Sequence, residues 1–443
     1  MSFQYVPVAS KLHDRRSLSA LLVEHEKALA AIGGQRSDGD VADAPGVPFY
    51  FVQTGGTENE VIRRHRSRLQ QGKAGPLLLI AHPAHNSLPA ALEILAQSRQ
   101  ENAPGRIYLL RGADDAATLA AIAQTARCVE ANARLAHDRL GRIGESSDWL
   151  VASSHQPEIV FKRFGMKVIP LSVTELRAHM AQDPAPANGP EFAAWEQAAG
   201  ADGVTREAFA RAAGVYRGLQ ALVRQYALTA VTVRCFDLVT GDGTTGCLAL
   251  SRLADEGIAA GCEGDIPSAV MLRWVGHLTG KPAWMANPSD LDARTGEILL
   301  AHCTVPLALV GAHRLKTHFE SGLGVGIDGT FAPGPVTLLR LGGVQLDRWW
   351  GAEGQLFEDR HAPDLCRTQV RVRIPPALAA ELLEAPLGNH VVLAPGHVLA
   401  LFREAFEWVG AGRITSEMDQ AFRQQREQLH GRRLLSRLVG GWS

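Results

Sequence analysis

The stretch that decides the fold runs from Ala259 to Cys303 and reads AAGCEGDIPSAVMLRWVGHLTGKPAWMANPSDLDARTGEILLAHC. A short apolar run ends in Cys-Glu-Gly-Asp, and Pro267 follows at a position that suits the first turn of a helix. The pattern predicts a strand, a helix over Ser268–Leu278 that ends at Gly280, and then two further strands. Such alternation of strands and helices is typical of an α/β fold with a parallel sheet.

Each of the three predicted strands ends in a polar side chain: Glu263, Asn287 and His302. Ligands of open α/β sheets collect at the carboxyl ends of strands. A carboxylate, an amide oxygen and an imidazole there would suit a divalent cation. Plainer interpretations stay open, because the helix dipole alone favours a glutamate at a helix N-terminus. A single histidine near a strand end is commonly just a hydrogen-bonded, partly buried side chain.

The composition is that of an ordinary globular protein. Of 443 residues, 46% are hydrophobic and 21% charged, which is enough for two or three domains with cores of their own. A net charge of −1 gives no field that would attract nucleic acid or an anionic membrane, so we expect neither partner. No apolar run reaches the ~20 residues of a membrane span, and the N-terminus lacks a signal-peptide core.

The cysteines and the two ends of the chain complete the general picture. The six cysteines include no Cys-x-x-Cys pair, which indicates reduced thiols and a cytoplasmic protein. Residues 1–47 show little pattern beyond a helix predicted over Leu18–Ile32. After His302, glycines and short alternating runs predict a small antiparallel barrel or sheet. The charged segment Ser416–Leu438 predicts a helix at a subunit interface.

Motifs along most of the chain resemble those of the L-fucose isomerase and L-arabinose isomerase superfamily. Besides the stretch quoted above, they are FVQTGGTENE and LLLIAHPAHNSLPAALE in Phe49–Glu93, FAPGPVTLLRL in Phe331–Leu341, Cys366-Arg367-Thr368 and Gly388-Asn389-His390. Their number and order make the resemblance specific for the superfamily, but not for a substrate.

The resemblance implies the architecture. We expect an α/β protein with two Rossmann-like parallel-sheet domains followed by a β-rich, antiparallel barrel-like C-terminal domain. The expected boundaries are 1–150 for the first domain and 151–303 for the second, which would carry Glu263 and Asn287. Residues 304–443 would form the β-rich domain with its terminal helices. The family also implies a homo-oligomer, a trimer or a hexamer.

The resemblance also implies a metal site. Family members bind a divalent cation, usually Mn²⁺, that contacts adjacent oxygens of a sugar. The positions that match their metal ligands are Glu263, Asn287 and His390, and His302 lies where arabinose-type members carry a further histidine. Asn287 departs from the family, because an amide oxygen can bind a cation but cannot accept a proton as a carboxylate does.

The chemistry of aldose–ketose interconversion fits these side chains. One proton moves between neighbouring carbons through an enediolate, and a cation stabilises the charge on the oxygens. A carboxylate must remove and return that proton. We therefore expect Glu263 to be the general base, with Asp265 or Asp290 in reserve and Asn287 beside it in the catalytic set.

Four further residues are candidates for binding the sugar. His82 and Asn86 lie on a loop of the first domain, and family hexamers place such residues near the active site of a neighbour. In the last domain we expect Arg367 to contact a hydroxyl or an acidic group and Asn389 to lie beside His390. A packed loop and a structural ion pair are the plainer interpretations. Tryptophans such as Trp149 are expected in the core or at an interface.

The sequence thus predicts a metal-dependent aldose–ketose isomerase. Its substrate would be a monosaccharide of the deoxy, pentose or substituted, including anionic, kind. Two alternatives stay open: a sugar-binding or sensing protein that kept the fold without catalysis, which Asn287 favours, and a metal-dependent lyase or hydrolase.

Overall fold

A computed structural model of the chain describes residues 2–13, 15–38, 46–73, 75–182 and 201–410. The helix predicted over Ser416–Leu438 lies outside these residues. The chain forms two compact units, one of Met1–Ala133 with Trp408–Ser443 and one of Arg134–Glu407. Among the described helices, none has both the length and the apolar character needed to cross a membrane.

The first unit contains a five-stranded parallel sheet in the order β2-β1-β3-β4-β5. The strands are β1 (Phe3–Val8), β2 (Gly34–Arg36), β3 (Phe49–Val52), β4 (Leu77–Ala81) and β5 (Gly105–Leu109). The helices between and after them are α1 (Arg15–Ala31), α2 (Glu58–Gln70), α3 (Ser87–Gln100) and α4 (Ala116–His137), in which the unit boundary falls.

The core of this unit lies around β3 and β4, whose residues are all buried. Val6, Tyr50 and Leu79 belong to one apolar cluster with residues of α2 and α3. A strand buried on both faces reads as a continuous apolar run, as FYFV and LLLIA do here. Each large apolar side chain removed from water in this way contributes about 1.5–3 kcal/mol.

The second unit begins with a four-stranded parallel sheet in the order β10-β9-β6-β7. The strands are β6 (Arg139–Ile143), β7 (Lys167–Leu171), β9 (Ala230–Val233) and β10 (Ala259–Cys262). The helices of this part are α5 (Pro157–Phe164), α6 (Val173–Gln182), α7 (Arg206–Tyr226), α8 (Phe236–Asp242), α9 (Cys247–Asp255) and α10 (Ile266–Thr279).

The register of this sheet brings three loops to one edge. Val233 of β9 pairs with Ile143 of β6 on one side and with Cys262 of β10 on the other. The carboxyl ends of the three strands are therefore level, and the residues that follow them meet at the same edge. Glu263 is the first residue after β10.

The rest of the second unit is built on a closed antiparallel barrel in the order β11-β12-β17-β16-β15-β18. Its strands are β11 (Trp284–Asp292), β12 (Glu297–His302), β15 (Gly334–Gly342), β16 (Arg348–Asp359), β17 (Thr368–Arg373) and β18 (Val391–Pro395). Strands β8 (Ala201–Asp202), β13 (Ala312–Lys316) and β14 (Gly326–Thr330) form a small separate sheet, and α11 (Pro376–Glu384) and α12 (Leu399–Trp408) are the last two helices among the described residues.

The predicted fold class is confirmed: two parallel sheets with helices are accompanied by an antiparallel barrel. One local expectation is wrong. Asn287 does not end a strand of the second parallel sheet, because it lies inside β11, which runs on to Asp292 in the barrel. The division into three domains at residues 150 and 303 stays a prediction.

Candidate metal centre

Three buried side chains from different strand ends converge in the second unit. Glu263 follows β10, His302 ends β12, and His390 immediately precedes β18. Each offers a ligand atom within 4.8 Å of the other two, and within the described ranges no other set of three or more His, Cys, Asp or Glu meets in this way. Their exposed fractions are 9%, 3% and 0%. We call these three residues the metal trio.

The backbone after β10 places the Glu263 side chain. Glu263 has a φ of 62°, a left-handed conformation that costs a non-glycine residue about 1–3 kcal/mol. The amide of Ser147, on the loop after β6, donates to the Glu263 carbonyl at 2.8 Å and holds it. Gly264, with a φ of 71°, allows this approach, since a Cβ there would lie 2.6 Å from the Glu145 carbonyl oxygen.

Asp265 supports the centre through its hydrogen bonds. It caps α10, with its Oδ1 accepting the Ser268 amide at 2.8 Å. Its Oδ2 accepts a hydrogen bond from Arg340 Nη1 at 3.0 Å and lies 2.9 Å from Nδ1 of His390. The carboxylate is completely buried, which alone would raise its pKa, but Arg340 and His390 hold that pKa well below its usual range. Asp265 is therefore a buried anion with fixed partners.

This arrangement orients the His390 ring. With Nδ1 donating to the Asp265 carboxylate, the neutral ring carries its proton on Nδ1 and its lone pair on Nε2. Nε2 is buried without a hydrogen-bond partner and lies 3.6 Å from Oε1 of Glu263. A carboxylate that holds a histidine in this way is the usual support of a metal-binding imidazole.

The geometry fits a divalent metal ion. Two ligands bound at about 2.1 Å to one ion lie about 3.0–3.4 Å apart when the angle between them is 90–109°. The 3.6 Å between His390 Nε2 and Glu263 Oε1 is close to that spacing and too long for a hydrogen bond. One carboxylate oxygen and two imidazoles suit a first-row divalent ion such as Mn²⁺ or Zn²⁺.

Burial disfavours the charged form of each side chain in the metal trio, and the neighbouring groups determine whether its pKa is raised or lowered. Burial, reinforced by His390, lowers the pKa of His302 to about 4, so that its ring is neutral. Burial would also lower the pKa of His390, but the Asp265 and Glu263 carboxylates outweigh it and raise that pKa. Burial would raise the pKa of Glu263, yet the His390 ring holds it below its usual value.

Trp149 contacts the Glu263 carboxylate through its indole N–H. Its Nε1 donates a hydrogen bond to Oε2 of Glu263 at 2.6 Å, while its ring meets that of Phe236 edge-on with centroids 4.8 Å apart. Trp149 is nevertheless 51% exposed. The two carboxylate oxygens thus differ, since Oε1 faces His390 and Oε2 faces Trp149.

Asn287 lies on β11, between the strand that ends in His302 and the strand that follows His390. It pairs with Ala301, the neighbour of His302, and the residue before it pairs with Val391, the neighbour of His390. Its side chain is half-buried. A role as metal ligand stays a prediction.

The predicted substrate-binding residues are not gathered in one unit. His82 and Asn86 belong to the first unit, where His82 is buried with Nε2 at 2.9 Å from the Gln53 carbonyl and Asn86 precedes α3 with a φ of 56°. In the second unit, Arg367 donates from Nε to the Thr317 carbonyl at 2.7 Å, and Asn389 is exposed beside His390. Their roles in binding remain predictions.

Sequence reasoning did not single out Arg340. This residue of β15 is 2% exposed and donates to Asp265, to Ser268 Oγ at 2.7 Å and to Ser153 Oγ at 2.5 Å. A signal was present, because an arginine inside the apolar run TLLRL must find a buried counter-charge. No comparable signal marked Trp149 as a partner of Glu263.

Comparison with known proteins yields one distant similarity. No protein-family model matches the sequence. Over 99 residues the chain is 33% identical to sulfoquinovose isomerase of Clostridium sp. (strain MSTE9). The aligned part covers 22% of this chain and 22% of that protein. The chain is thus partly similar to a sugar isomerase, over less than a quarter of either length.

Proposed function

We propose that this protein is a metal-dependent aldose–ketose isomerase and that sulfoquinovose, a sugar with a sulfonate group, is the first substrate to test. The observation that carries the proposal is the convergence of Glu263, His302 and His390 on one point, with Asp265 fixing the His390 ring. The partial similarity to a sulfoquinovose isomerase supports the reaction and the substrate class.

The trio would hold a divalent cation, which we propose to be Mn²⁺. A bound divalent cation supplies Lewis-acid stabilisation of negative charge on neighbouring sugar oxygens. His302 is suited to this role because its ring is neutral. His390 must give up the proton that its raised pKa favours, and Asp265 keeps its Nε2 directed at the centre.

Glu263 is placed to move the proton. It is ionised, and Oε2 contacts the half-exposed Trp149 ring, beside which we infer that the sugar binds. We infer that Oε2 takes the proton from the carbon next to the carbonyl and returns it to the neighbouring carbon. Asp265 is in contact with Arg340 and His390 and completely buried, so we assign it a positioning role instead of the reserve-base role expected from the sequence.

Exchange of a substrate C–H for deuterium tests this proposal. Protein with Mn²⁺ and sulfoquinovose in D₂O should lose the NMR signal of the proton next to the carbonyl and form the ketose. Glu263→Gln should lower the exchange rate by about 10²–10⁴-fold, as expected for removal of a general base. Glu297→Gln is the control, since Glu297 lies at the start of β12 and pairs with Arg371 and Arg373.

Two outcomes would contradict the isomerase, and a third would contradict the assignment of its base. Binding of the sugar without any exchange, for sulfoquinovose and for a panel of aldoses and ketoses, would favour the sugar-binding protein. Products of carbon–carbon cleavage would favour the lyase. Full exchange activity in Glu263→Gln would remove Glu263 as the base.

A further inference from the structure

Trp149 is unusual among the described tryptophans because its side chain is half-exposed and yet donates a hydrogen bond to a buried carboxylate. It is 51% exposed, whereas Trp274 and Trp284 are buried almost completely. Its Nε1 lies 2.6 Å from Oε2 of Glu263, whose side chain is only 11% exposed. The exposed half of this ring leaves apolar surface in water that a ligand could cover.

The loop that carries Trp149 is fixed on both sides of it. Before it, Ser146 Oγ donates to the Gly264 carbonyl at 2.9 Å and the Ser147 amide to the Glu263 carbonyl at 2.8 Å. After it, Ser153 Oγ accepts from Arg340 at 2.5 Å. The backbone is thus tied to the metal trio and its support, so that a change of rotamer at the half-exposed indole ring would not require the loop to move.

The hydrogen bond from Trp149 occupies Oε2 of Glu263, the carboxylate oxygen that does not face His390. A carboxylate oxygen that accepts an N–H along its lone pair is less available to a proton arriving from a carbon. A sugar that approaches Oε2 must therefore displace the indole N–H or slide beneath it. The exposed ring, supported edge-on by Phe236, offers an apolar surface against which the C–H face of a sugar can be removed from water.

We propose that Trp149 is a substrate-contacting residue: its indole N–H occupies Oε2 of Glu263 in the free protein and leaves that oxygen when a monosaccharide binds against the ring. The nature of the ligand rests on the proposed function. The contact between Trp149 and Glu263 and the exposure of the ring do not.

Tryptophan emission measures this directly. The probe is sulfoquinovose added to the Mn²⁺-loaded protein, first in the wild type and then in Trp149→Phe. Trp349→Phe is the matched control, since Trp349 of the barrel strand β16 packs against Phe402 and Phe406 of α12. We expect a saturable change in emission in the wild type and in the control, and none in Trp149→Phe.

Kinetics provide a second measurement that a purely structural role would not move. Trp149→Phe keeps a ring but removes the N–H that the sugar must displace from Oε2, so KM should fall by about 2- to 10-fold, the range expected for one hydrogen bond. Trp149→Ala removes the ring as well and should raise KM above that of Trp149→Phe by about 2- to 10-fold, the range expected for one aromatic contact. The melting temperature of each variant should stay within the range of Trp349→Phe, because the ring is largely outside the core.

The outcomes separate this inference from the proposed function. An emission change that requires Trp149, without any C–H exchange, keeps the inference and rejects the isomerase. Exchange activity in the wild type, with no change in emission on adding sugar and an unchanged KM in Trp149→Phe, keeps the isomerase and rejects the inference. Emission of Trp149 that responds to protein concentration and not to sugar would assign the ring to a contact between copies of the chain and overturn the inference. A protein that shows neither response nor exchange with any sugar rejects both.

Discussion

Replacing Asp265 with asparagine should weaken metal binding although Asp265 is not one of the metal trio. The substitution keeps the size of the side chain and leaves an oxygen for the Ser268 amide. It removes the charge that Arg340 and the His390 ring share at Oδ2. The amide cannot accept from both groups as the carboxylate does, so the His390 ring loses the partner that fixes its proton on Nδ1.

Two magnitudes follow from these contacts. Leaving Arg340 buried without its counter-charge should lower the free energy of unfolding by about 3–5 kcal/mol, the usual cost of removing one partner of a buried ion pair. Loss of the carboxylate behind a metal-binding histidine typically lowers metal affinity by about 10–100-fold. That loss corresponds to about 1.4–2.7 kcal/mol of binding free energy.

The assay needs a control that is equally destabilised but leaves the centre intact. Asp138→Asn serves this purpose, because Asp138 is also buried and pairs with Arg273 at 3.0 Å and with His277 at 2.6 Å, at the other end of β6 and α10. Urea unfolding of the metal-free proteins measures stability, and calorimetric titration with Mn²⁺ measures affinity. We expect both variants to lose stability and only Asp265→Asn to lose Mn²⁺ affinity.

The reasoning would be refuted by an Asp265→Asn variant that binds Mn²⁺ within twofold of the wild type while unfolding as easily as Asp138→Asn. Such a result would mean that Asp265 stabilises the fold without positioning His390. An equal loss of Mn²⁺ affinity in both variants would instead show that general destabilisation, and not the orientation of the ring, weakens the centre.

Three further predictions concern pH, Asn287 and assembly. Because the pKa of His390 is raised in the metal-free protein, Mn²⁺ must displace a proton from His390 at any pH below that pKa. The Mn²⁺ affinity should therefore rise about tenfold per pH unit below the pKa of His390 and level off above it. Calorimetric titration that gives the same Mn²⁺ affinity at every pH would contradict this. Asn287→Asp should bind Mn²⁺ about 3- to 10-fold more tightly, because a carboxylate adds ligand charge. An unchanged affinity would place that side chain outside the coordination sphere. Light scattering should give the mass of a homo-oligomer, and a monomer at working concentration would count against an assembly.

Several parts of the fold were readable from the sequence because local chemistry and tertiary structure agree. Glu263 was expected at a strand end, and it follows β10 because the glycine, the capping Asp265 and Pro267 all favour a turn into a helix there. Strands β3 and β4 are the continuous apolar runs FYFV and LLLIA, the pattern of strands buried on both faces. The antiparallel barrel was predicted from alternation after His302, although it begins earlier, at β11.

Two prolines account for much of what the sequence did not predict. The predicted strand ends at Asn287, but β11 continues through Pro288 because the register shifts between Pro288 and Asp290, and such an irregularity tolerates a missing N–H. Strand β1 was not predicted at all. It contains Pro7, paired with Phe51 in the middle of the sheet, where proline is rare.

The support of the centre depended on long-range contacts that no local pattern encodes. Arg340 and Asp265 are 75 residues apart in the chain, and Trp149 and Glu263 are 114 apart. Packing of the barrel against the second parallel sheet brings Arg340 to Asp265, and the pairing of strands within that sheet brings the loop of Trp149 to Glu263. As candidate ligands, Glu263 and His302 were predicted from their chemical type at strand ends and His390 from the family resemblance, whereas the groups that orient them could be identified only in three dimensions.

The most direct test of the metal centre is the anomalous scattering of Mn²⁺ in crystals of the Mn²⁺-loaded protein. We predict one strong peak per chain, about 2.0–2.3 Å from an oxygen of Glu263 and a ring nitrogen each of His302 and His390, the distances usual for such ligands. A peak elsewhere in the chain, or full isomerase activity in crystals and solution without any ion bound to these three side chains, would contradict the account.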